Sequence, residues 1–589
     1  MLKKIKLRPN HTVYLLSLAV GLVTGLGAIA FVGLLSLAEQ GVENLHGYTF
    51  YTDISSTLGG SRNLPGITTM LLVVLLPALG GLATGLITWK FSKASAGTGT
   101  DQLIKTFHQE EGKMDPKIPL IKSIATIFTL ATGGSGGKEG PIAQIGAGIG
   151  SYIAKLTGAG ARARRTLLLS GTAAGLGAVF KAPLGGALTS AEMVYKEDIE
   201  SDALIPCFIS SVTAYLVYVA FAGTGHFMPI ENTGLLDLRE LIFYLLLGIL
   251  CYPFGFLFIR GFNDTRKFFS IIKLHPVVKP ALGGLLVGGV SLVFFEVAGT
   301  GGNYLNEVAS GVKPFHQPKG ILWISLGFLA IAFLKIFATT LTIGSGGSGG
   351  VFGPSLFIGG MLGASVGTLA QYFIPEINLN IASYVVVGMG AFYAGVASAP
   401  IAGIVMICEM TGTYSLLPPL IIVSIFTFIL GKRISIYKHQ AENRFMSPAH
   451  AWDMKIDQME KIIIRDRFPE LRKFAWLHEN SGPEDVAALA AQIHSSDFVV
   501  EGKNGEYAGI FSLRKTPRNY NLVGDVSEKN IPSVHPSDNL GKALKILLEF
   551  DVDKVAVEEN GKLTGYIRSR DIFNAYLDNV RKSPSGFSG

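Results

Sequence analysis

The sequence is poor in charged residues and in cysteine. Only 16% of its 589 residues are charged, against 49% that are hydrophobic, and the mean hydropathy is +0.41. Soluble domains carry about 25% charged residues, so this composition excludes a soluble protein over most of the chain. The three cysteines, Cys207, Cys251 and Cys408, lie in apolar segments without metal-ligand spacing, which predicts buried free thiols and neither a disulfide framework nor a metal site. The net charge of +7 is accounted for by cations that flank membrane segments, so we expect no nucleic-acid partner.

Long apolar runs predict a polytopic α-helical membrane protein. A helix needs about 20 apolar residues to span a bilayer, and runs of about this length occur at 13–37, 67–87, 241–258, 280–297, 321–343 and 416–430. Shorter apolar pieces between these runs indicate broken or re-entrant helices. The basic residues in segment 1–8 place the N-terminus in the cytoplasm by the positive-inside rule. We expect no cleaved signal peptide, because the first run is too long to be a signal-peptide core.

Two glycine-rich motifs of the same form interrupt the apolar runs. Ser-Gly-Gly-Lys-Glu-Gly-Pro at 135–141 recurs 213 positions later as Ser-Gly-Gly-Val-Phe-Gly-Pro at 348–354. A second pair of segments, 182–192 and 399–409, begins with Ala-Pro and ends with Glu at the same spacing. Two related halves, roughly 66–200 and 278–440, are therefore expected in a transmembrane domain at 1–440. In transporters such repeats are commonly inverted, and their broken helices meet near the middle of the bilayer.

Glycine breaks at membrane depth predict a binding site for an anion. They leave backbone N–H groups unpaired, and because lipid cannot satisfy these groups, they must line a cavity that is enclosed by protein. A helix N-terminus carries about half an elementary positive charge, so several converging helix starts bind an anion without a buried cation. Dipoles and hydroxyl groups hold an anion weakly enough to release it again.

The motifs resemble those of the CLC family of chloride channels and chloride/proton antiporters. Gly-Lys-Glu-Gly-Pro at 137–141 is similar to the family signature, and Gly-Val-Phe-Gly-Pro at 350–354 is its partner. Gly-Thr-Gly-Thr-Asp at 97–101 stands where the family has Gly-Ser-Gly-Ile-Pro, a departure that leaves the preferred anion open, and Tyr437 matches the family's tyrosine. The resemblance implies a CLC-type inverted repeat with broken helices. It also implies a homodimer with one pore in each subunit, an inner (plasma) membrane location and conduction of chloride or other small anions without a cofactor.

Glu139 is the predicted gate. Its carboxylate is itself an anion and competes with chloride for the same amides, so the pathway is closed when Glu139 is ionised and open when it is protonated or displaced. The hydroxyl groups of Thr98 and Tyr437 and the backbone amides of Val351 and Phe352 are expected to bind the anion, and Thr98 also to cap the following helix. Lys138 either raises the local anion concentration or is a solvated lysine of the vestibule. The residues that we expect to line the pathway in addition are Gly97, Gly99, Lys138, Gly140 and Gly353.

The segment after the first Ala-Pro bears on proton coupling. In family members that exchange protons it ends in two adjacent acids, and the second carries protons on the inner side. Here Glu192 aligns with the first acid and Met193 with the second. Methionine cannot relay a proton, so we predict a passive anion channel, with exchange through Glu197 or Asp198 as the alternative. An enzyme is not expected, because the phosphate-loop pattern fails at 133–138 and no catalytic constellation stands out.

A soluble tail follows the membrane part. After a linker at 441–455, the segment 456–589 shows a helix, hairpin, helix pattern at 540–550, 555–558, 563–567 and 571–579, and a weaker copy at 486–493, 498–501 and 507–511. The pattern resembles a cytoplasmic pair of α/β CBS modules. Asp571 fits the acid of the adenine-nucleotide motif that CBS modules carry, but Arg568 replaces the threonine of that motif. The tail therefore either binds a nucleotide or packs against the membrane domain and a dimer partner.

Overall fold

The chain folds into two units, Met1–Ala449 and His450–Gly589, in a computed structural model. The structure describes residues 9–46, 67–230, 237–311, 320–377, 379–432, 434–450, 459, 462–468, 476–493, 496–513, 515–516, 520–529, 531–550 and 552–582. The basic N-terminal segment 1–8 and part of the predicted linker lie outside the described residues.

The described part of the first unit is built from α-helices. In chain order these are α1 (Pro9–His46), α2 (Ile67–Phe91), α3 (Thr100–Gln109), α4 (Lys117–Ala131), α5 (Glu139–Leu156), α6 (Ala161–Val179), α7 (Pro183–Glu192), α8 (Leu204–Ala222), α9 (Glu240–Ile271), α10 (Val278–Ser291), α11 (Gly302–Ala309), α12 (Ile321–Gly344), α13 (Phe352–Phe373), α14 (Ile381–Ala397), α15 (Pro400–Thr411) and α16 (Leu417–Gly431). Short 3₁₀ turns precede α3, α8 and α11.

Four of the six predicted spans are helices long and apolar enough to cross a membrane, namely α1, α2, α9 and α12. The other two predicted runs, 280–297 and 416–430, form the apolar helices α10 and α16 of 14 and 15 residues, which are shorter than the six described helices long enough to cross a membrane. Two further long apolar helices were missed, one at Ser201–Ala222 and one at Phe352–Phe373. The second was missed because it is rich in glycine and serine, residues that suit a helix buried among other helices rather than one facing lipid.

Paired glycines allow neighbouring helices to touch in the same way in both halves. A Cβ atom on Gly146 of α5 would lie 1.9 Å from the carbonyl oxygen of Gly171 on α6. In the second half, a Cβ on Gly359 of α13 would lie 2.2 Å from the carbonyl oxygen of Gly388 on α14. Neither pair of backbones could approach so closely with any larger residue.

Two glutamates tie the halves together. The carboxylate of Glu192, at the end of α7, accepts hydrogen bonds from the N–H groups of Ile401 and Ala402 at the start of α15, at 3.2 and 2.6 Å. The carboxylate of Glu409 on α15 accepts from Leu184 and Gly185 at the start of α7, at 3.2 and 2.7 Å. Each helix therefore has its orphan N-terminal amides capped by the other. The two glutamates occupy matching positions of the repeat, so the contact is reciprocal.

The second unit contains α/β elements in the predicted order. They are α17 (Ile464–Arg467), β1 (Trp476–His478), α18 (Pro483–Ile493), β2 (Asp497–Glu501), β3 (Tyr507–Ser512), α19 (Val523–Val526), α20 (Leu540–Glu549), β4 (Lys554–Glu559), β5 (Lys562–Arg568) and α21 (Ser569–Lys582). β2 pairs parallel with β1 and antiparallel with β3, while β4 and β5 form an antiparallel hairpin. Asn560 and Gly561 turn that hairpin with positive φ angles of 53° and 75°, which asparagine and glycine tolerate best.

Residues 441–449, which the sequence assigns to a linker, make hydrogen bonds to the first unit. The carbonyl of Ala441 accepts from the N–H of Lys196 at 2.9 Å, and the hydroxyl of Ser447 lies 2.7 Å from Nδ1 of His108. Arg444 donates to Asp202 at 2.8 Å. This segment therefore packs as part of the membrane unit.

Candidate anion-binding site

Three glycine loops meet in the first unit through backbone hydrogen bonds. Gly137 and Gly350, one from each repeat motif, exchange N–H···O bonds of 2.8 and 2.6 Å. Gly97 donates to the carbonyl of Gly347 at 2.9 Å and accepts from Gly349 at 3.3 Å. The loops that precede α3, α5 and α13 are thereby held at one place, and three helix N-termini begin from them.

The carboxylate of Glu139 occupies a seat made of glycines. The side chain is 5% exposed and accepts hydrogen bonds from its own N–H and from that of Gly353. A Cβ atom on Gly137, Gly350 or Gly353 would lie 1.7, 2.6 or 2.5 Å from the carboxylate oxygens. The absence of a side chain at these three positions is therefore what makes room for the carboxylate between α5 and α13.

Two lysines stand near this carboxylate. Lys138 immediately precedes α5, interacts electrostatically with both Glu139 and Glu39, and lies 5.2 Å from the ring centroid of Phe227. Lys335 of α12 is fully buried and also interacts electrostatically with Glu139. Positive charge from two directions compensates part of the cost of holding a carboxylate away from water.

Thr98 lies in the loop that precedes α3 and forms another part of the site. It is 3% exposed, and its Oγ1 has no hydrogen-bond partner within the described part of the chain. Its neighbours Gly97 and Gly99 have positive φ angles of 80° and 76°, so the loop turns sharply on both sides of it. The expectation that Thr98 also caps the helix was wrong, because Gly99 is the N-cap residue of α3 and no side chain caps it. The Thr98 hydroxyl therefore makes no structural hydrogen bond within the described part of the chain.

Tyr437 closes the site from the end of the membrane unit. It is 4% exposed, and its hydroxyl interacts with those of Thr100 and Tyr393 and electrostatically with Glu139. The segment is fixed to the start of α3, because Asp101 Oδ1 lies 3.1 Å from the backbone nitrogen of His439 and 3.1 Å from its Nδ1.

The first turn of α13 brings Val351 and Phe352 to the same place. Val351 is the N-cap residue and Phe352 the first helical residue, so their N–H groups have no acceptor within the helix. The Phe352 ring packs 4.6 Å from Tyr393 and 5.0 Å from Phe180. Gly140 lies directly behind Thr98, since a Cβ on it would come 2.2 Å from the Thr98 carbonyl oxygen. The structure thus gathers the residues that the sequence singled out for the pathway.

Met193 lies at the end of α7 and is 2% exposed, in the main hydrophobic core. Its carbonyl accepts a hydrogen bond from Gln440 at 3.1 Å. The position therefore presents no titratable group.

A second glycine loop and two lysines were missed in the sequence. Ala-Gly-Thr-Gly occurs at 96–99 and again at 298–301, each time after a 3₁₀ turn and before a short helix. Lys122 and Lys335 are 213 positions apart, the same spacing as the glycine motifs. Lys122 donates to the carbonyl of Gly97, and Lys335 donates to those of Val297 and Gly299 at 2.9 Å each. The repeated tetrapeptide and the spacing of the lysines would have revealed both loops and the residues that hold them.

Comparison with known proteins agrees with this geometry. A family model described as voltage gated chloride channel matches residues 80–432, which is more than half of the chain. The chain belongs to the CLC family. A voltage-gated ClC-type chloride channel of Escherichia coli (strain SMS-3-5 / SECEC) is 33% identical over 63% of this chain and 87% of its own. An uncharacterized protein of Methanocaldococcus jannaschii is 29% identical over 58% of this chain and 82% of its own.

Solved structures show the same CLC fold. A slow cyanobacterial Cl⁻/H⁺ antiporter aligns with a TM-score of 0.59 at 23% identity, over 72% of this chain and 95% of its own. A CLC-type fluoride/proton antiporter aligns with a TM-score of 0.60 at 22% identity, over 73% and 98%. A eukaryotic CLC transporter covers 95% of this chain and 98% of its own, with a TM-score of 0.56 and 20% identity. The protein is therefore a polytopic helical CLC protein, and its family transports anions across membranes.

The tail carries a CBS domain, which a family model matches at residues 523–578. Asp571, the candidate nucleotide ligand, is engaged by its own neighbour: Nε and Nη2 of Arg568 each donate to its carboxylate at 3.0 Å. Arg568 stands where the nucleotide motif has threonine, and it occupies the oxygens that would bind a ribose.

Proposed function

We propose that the protein conducts chloride or other small anions passively and that Glu139 gates the pathway. The observation that carries this proposal is the buried, non-titratable Met193 at the position where proton-exchanging relatives have an inner acid. Conduction along this pathway requires no cofactor.

The gate follows from the seat of the Glu139 carboxylate. The seat offers the N–H of Gly353 and the first amides of two helices, which would serve a halide equally well. An ionised carboxylate in the seat excludes the halide. A protonated carboxyl group no longer competes for these donors, so it leaves the seat and the anion enters. The Thr98 hydroxyl, which has no partner in the described part of the chain, and the Tyr437 hydroxyl then supply further donors.

The acids near Met193 are held in structural contacts. Glu192 caps α15. Glu197 forms an ion pair with Lys432 at 3.2 Å, and Asp198 accepts from the N–H of Arg444 at 3.0 Å. Engagement of these carboxylates supports the absence of an obligatory proton relay through them.

Chloride/proton exchange is the second candidate, and one observation favours it. Glu200 is 4% exposed and accepts a hydrogen bond from the Tyr195 hydroxyl at 2.7 Å. The Tyr195 ring lies 5.5 Å from that of His108. This buried acid, two residues after Asp198, supplies a titratable group on a non-standard inner path.

The experiment compares anion and proton fluxes in vesicles that contain the purified protein. Chloride-loaded vesicles are diluted into low-chloride buffer, and chloride and pH electrodes record both ions while a proton gradient opposes exchange. We expect chloride efflux with no proton movement against the gradient. Protons driven uphill in fixed ratio to chloride would overturn the channel proposal and favour exchange.

Glu139→Gln tests the gate in the same assay. Glutamine resembles the protonated acid and carries no charge, so efflux should be high and nearly independent of external pH. Glu307→Gln, which neutralises an acid of α11 outside the site, is the control and should keep the wild-type pH profile. If Glu139→Gln also keeps that profile, the gate lies elsewhere.

Assembly and location are proposed from family membership. We expect a homodimer in the plasma (inner) membrane, with the N-terminus and the CBS tail in the cytoplasm. Mass photometry of the detergent-solubilised protein tests the dimer. Protease digestion of the tail in inside-out against right-side-out vesicles tests the orientation.

A further inference from the structure

A cavity of about 550 Å³ opens at one end of the first unit, away from the anion site. It lies between the connection that follows α3, the last turns of α5 and the start of α6. Its lining includes three cations, Lys113, Lys155 and Arg164, together with the apolar side chain of Met114 and the ring of Tyr152.

Positive charge exceeds negative charge around the cavity. The segments 105–117 and 155–165 contain seven lysines or arginines and three acids. The carboxylate of Glu111 forms an ion pair with Lys113 at 2.6 Å and lies 3.9 Å from Nη1 of Arg164. Asp115, which is part of the cavity lining, accepts a hydrogen bond from the N–H of Lys117 at 2.9 Å.

Arg164 and Lys155 are left with unused donors. Nη1 of Arg164 is buried and has no hydrogen-bond partner in the described part of the chain. Nη2 of the same guanidinium donates to the Ala159 carbonyl at 3.3 Å, which fixes its direction. Lys155 makes no ion pair with any residue that the structure describes. The cavity thus offers donors to an anionic group that is not part of the protein.

The cavity borders the surface that faces lipid. Tyr152 is 46% exposed, and Leu156, one turn later on α5, and Leu120, in the first turn of α4, are 68% and 67% exposed. Val13 and Leu16, at the beginning of α1, pack in the same cluster as Ala154. The cavity therefore lies at the end of the bundle that the positive-inside rule assigns to the cytoplasm, where the leaflet is rich in anionic lipid.

We propose that this cavity binds the phosphate headgroup of an anionic phospholipid. Arg164 and Lys155 would contact the phosphate, the nearby N-terminus of α6 adds partial positive charge, and Tyr152 packs against the glycerol and upper acyl chain. Basic pockets between membrane helices on the cytoplasmic side suit such headgroups. The proposal is independent of the function of Glu139.

The test measures lipid binding to the full chain by native mass spectrometry after delipidation. Phosphatidylglycerol and phosphatidylcholine of equal chain length are titrated separately, with inorganic phosphate as a third arm. We expect phosphatidylglycerol to bind at least tenfold more tightly than phosphatidylcholine. Each basic residue that contacts an anionic headgroup contributes roughly fivefold to its binding, so Arg164→Gln combined with Lys155→Gln should weaken phosphatidylglycerol binding about 25-fold.

Arg162→Gln combined with Lys117→Gln is the control, since both residues lie in the same segments but outside the cavity lining. We expect it to bind phosphatidylglycerol within twofold of wild type. Thermal unfolding gives a second readout, because phosphatidylglycerol should raise the Tm of wild type and of the control but not of the Arg164/Lys155 variant. Equal binding of the two lipids, unchanged binding by that variant, or saturation by inorganic phosphate with no preference for phosphatidylglycerol would each overturn the proposal.

Discussion

Gly353→Ala should open the pathway by displacing the Glu139 carboxylate. A Cβ atom at this position would lie 2.5 Å from Oε1 of Glu139, and the next nearest atoms are the other atoms of the same carboxylate, at 3.4 and 3.6 Å. Ordinary contacts of a Cβ atom lie between 3.4 and 4 Å. The carboxylate, at the end of a flexible side chain, must therefore move by roughly 1 Å, and its hydrogen bond from the Gly353 N–H is lost.

The size of the effect follows from that hydrogen bond. A hydrogen bond to a charged group contributes about 1.5–3 kcal/mol, and each 1.4 kcal/mol corresponds to a factor of ten. The ratio of the seated to the displaced carboxylate should fall about 10- to 150-fold. We expect faster chloride efflux from vesicles at neutral pH and a much flatter response to acidification, because the seat is already vacated.

Gly349→Ala is the matched control from the same loop. Its Cβ would meet only ordinary contacts, the nearest being 3.6 Å from Gly136 Cα. It should leave efflux and its pH profile within about twofold of wild type. Wild-type behaviour of Gly353→Ala, or an equal gain from Gly349→Ala, would refute the argument that steric room for the carboxylate controls the gate.

Three further predictions concern binding and stability. Thr98→Val should weaken chloride binding about 10- to 100-fold, because one hydrogen bond to the anion is lost, and it should not lower the Tm. Isothermal titration calorimetry measures the chloride affinity, and thermal unfolding measures the Tm. An unchanged chloride affinity would show that Thr98 does not bind the anion. Glu192→Ala and Glu409→Ala should each destabilise the membrane unit by about 1–2 kcal/mol, since each uncaps one helix start; a large effect of only one would contradict reciprocal capping. Burial lowers the pKa of Lys554 to about 8, whereas in the unfolded chain it stays near 10.4. The unfolded state therefore binds more protons between these values, and the stability of the second unit should rise across about pH 8–10. Hydrogen exchange of the β4–β5 amides in the full chain should slow over this pH range relative to the same amides in Lys554→Met. If the exchange rates change with pH in the same way in both proteins, the lowered pKa of Lys554 is contradicted.

The candidate site was predictable because glycine-rich motifs form the loops that build it. The motifs at 135–141 and 348–354 repeat at a fixed spacing, and the requirement that exposed amides line an enclosed cavity is enough to bring them together. The structure pairs Gly137 with Gly350 as that argument requires. The hairpin at Asn560 and Gly561 was predictable for a related reason, since few residues adopt its positive φ angles.

The other features of the fold and of the site could not be predicted from the sequence, because they depend on contacts between distant segments. Helix α13 was harder to recognise in the sequence, because a helix surrounded by protein needs small residues as well as apolar ones. Lys122 and Lys335 are isolated charges in apolar helices, and their roles appear only when the carbonyls of the two Ala-Gly-Thr-Gly loops are seen beside them. Gly99 rather than Thr98 is the N-cap residue of α3, and this depends on a turn that the sequence does not specify.

The crossed capping of α7 and α15 bears on how such a chain arose. Each half supplies the carboxylate that closes a helix of the other, and neither half satisfies its own. In a primordial protein consisting of a single half, the same capping contact could form against a second, identical molecule. The duplicated gene would then have inherited its central contact from an assembly of two separate chains.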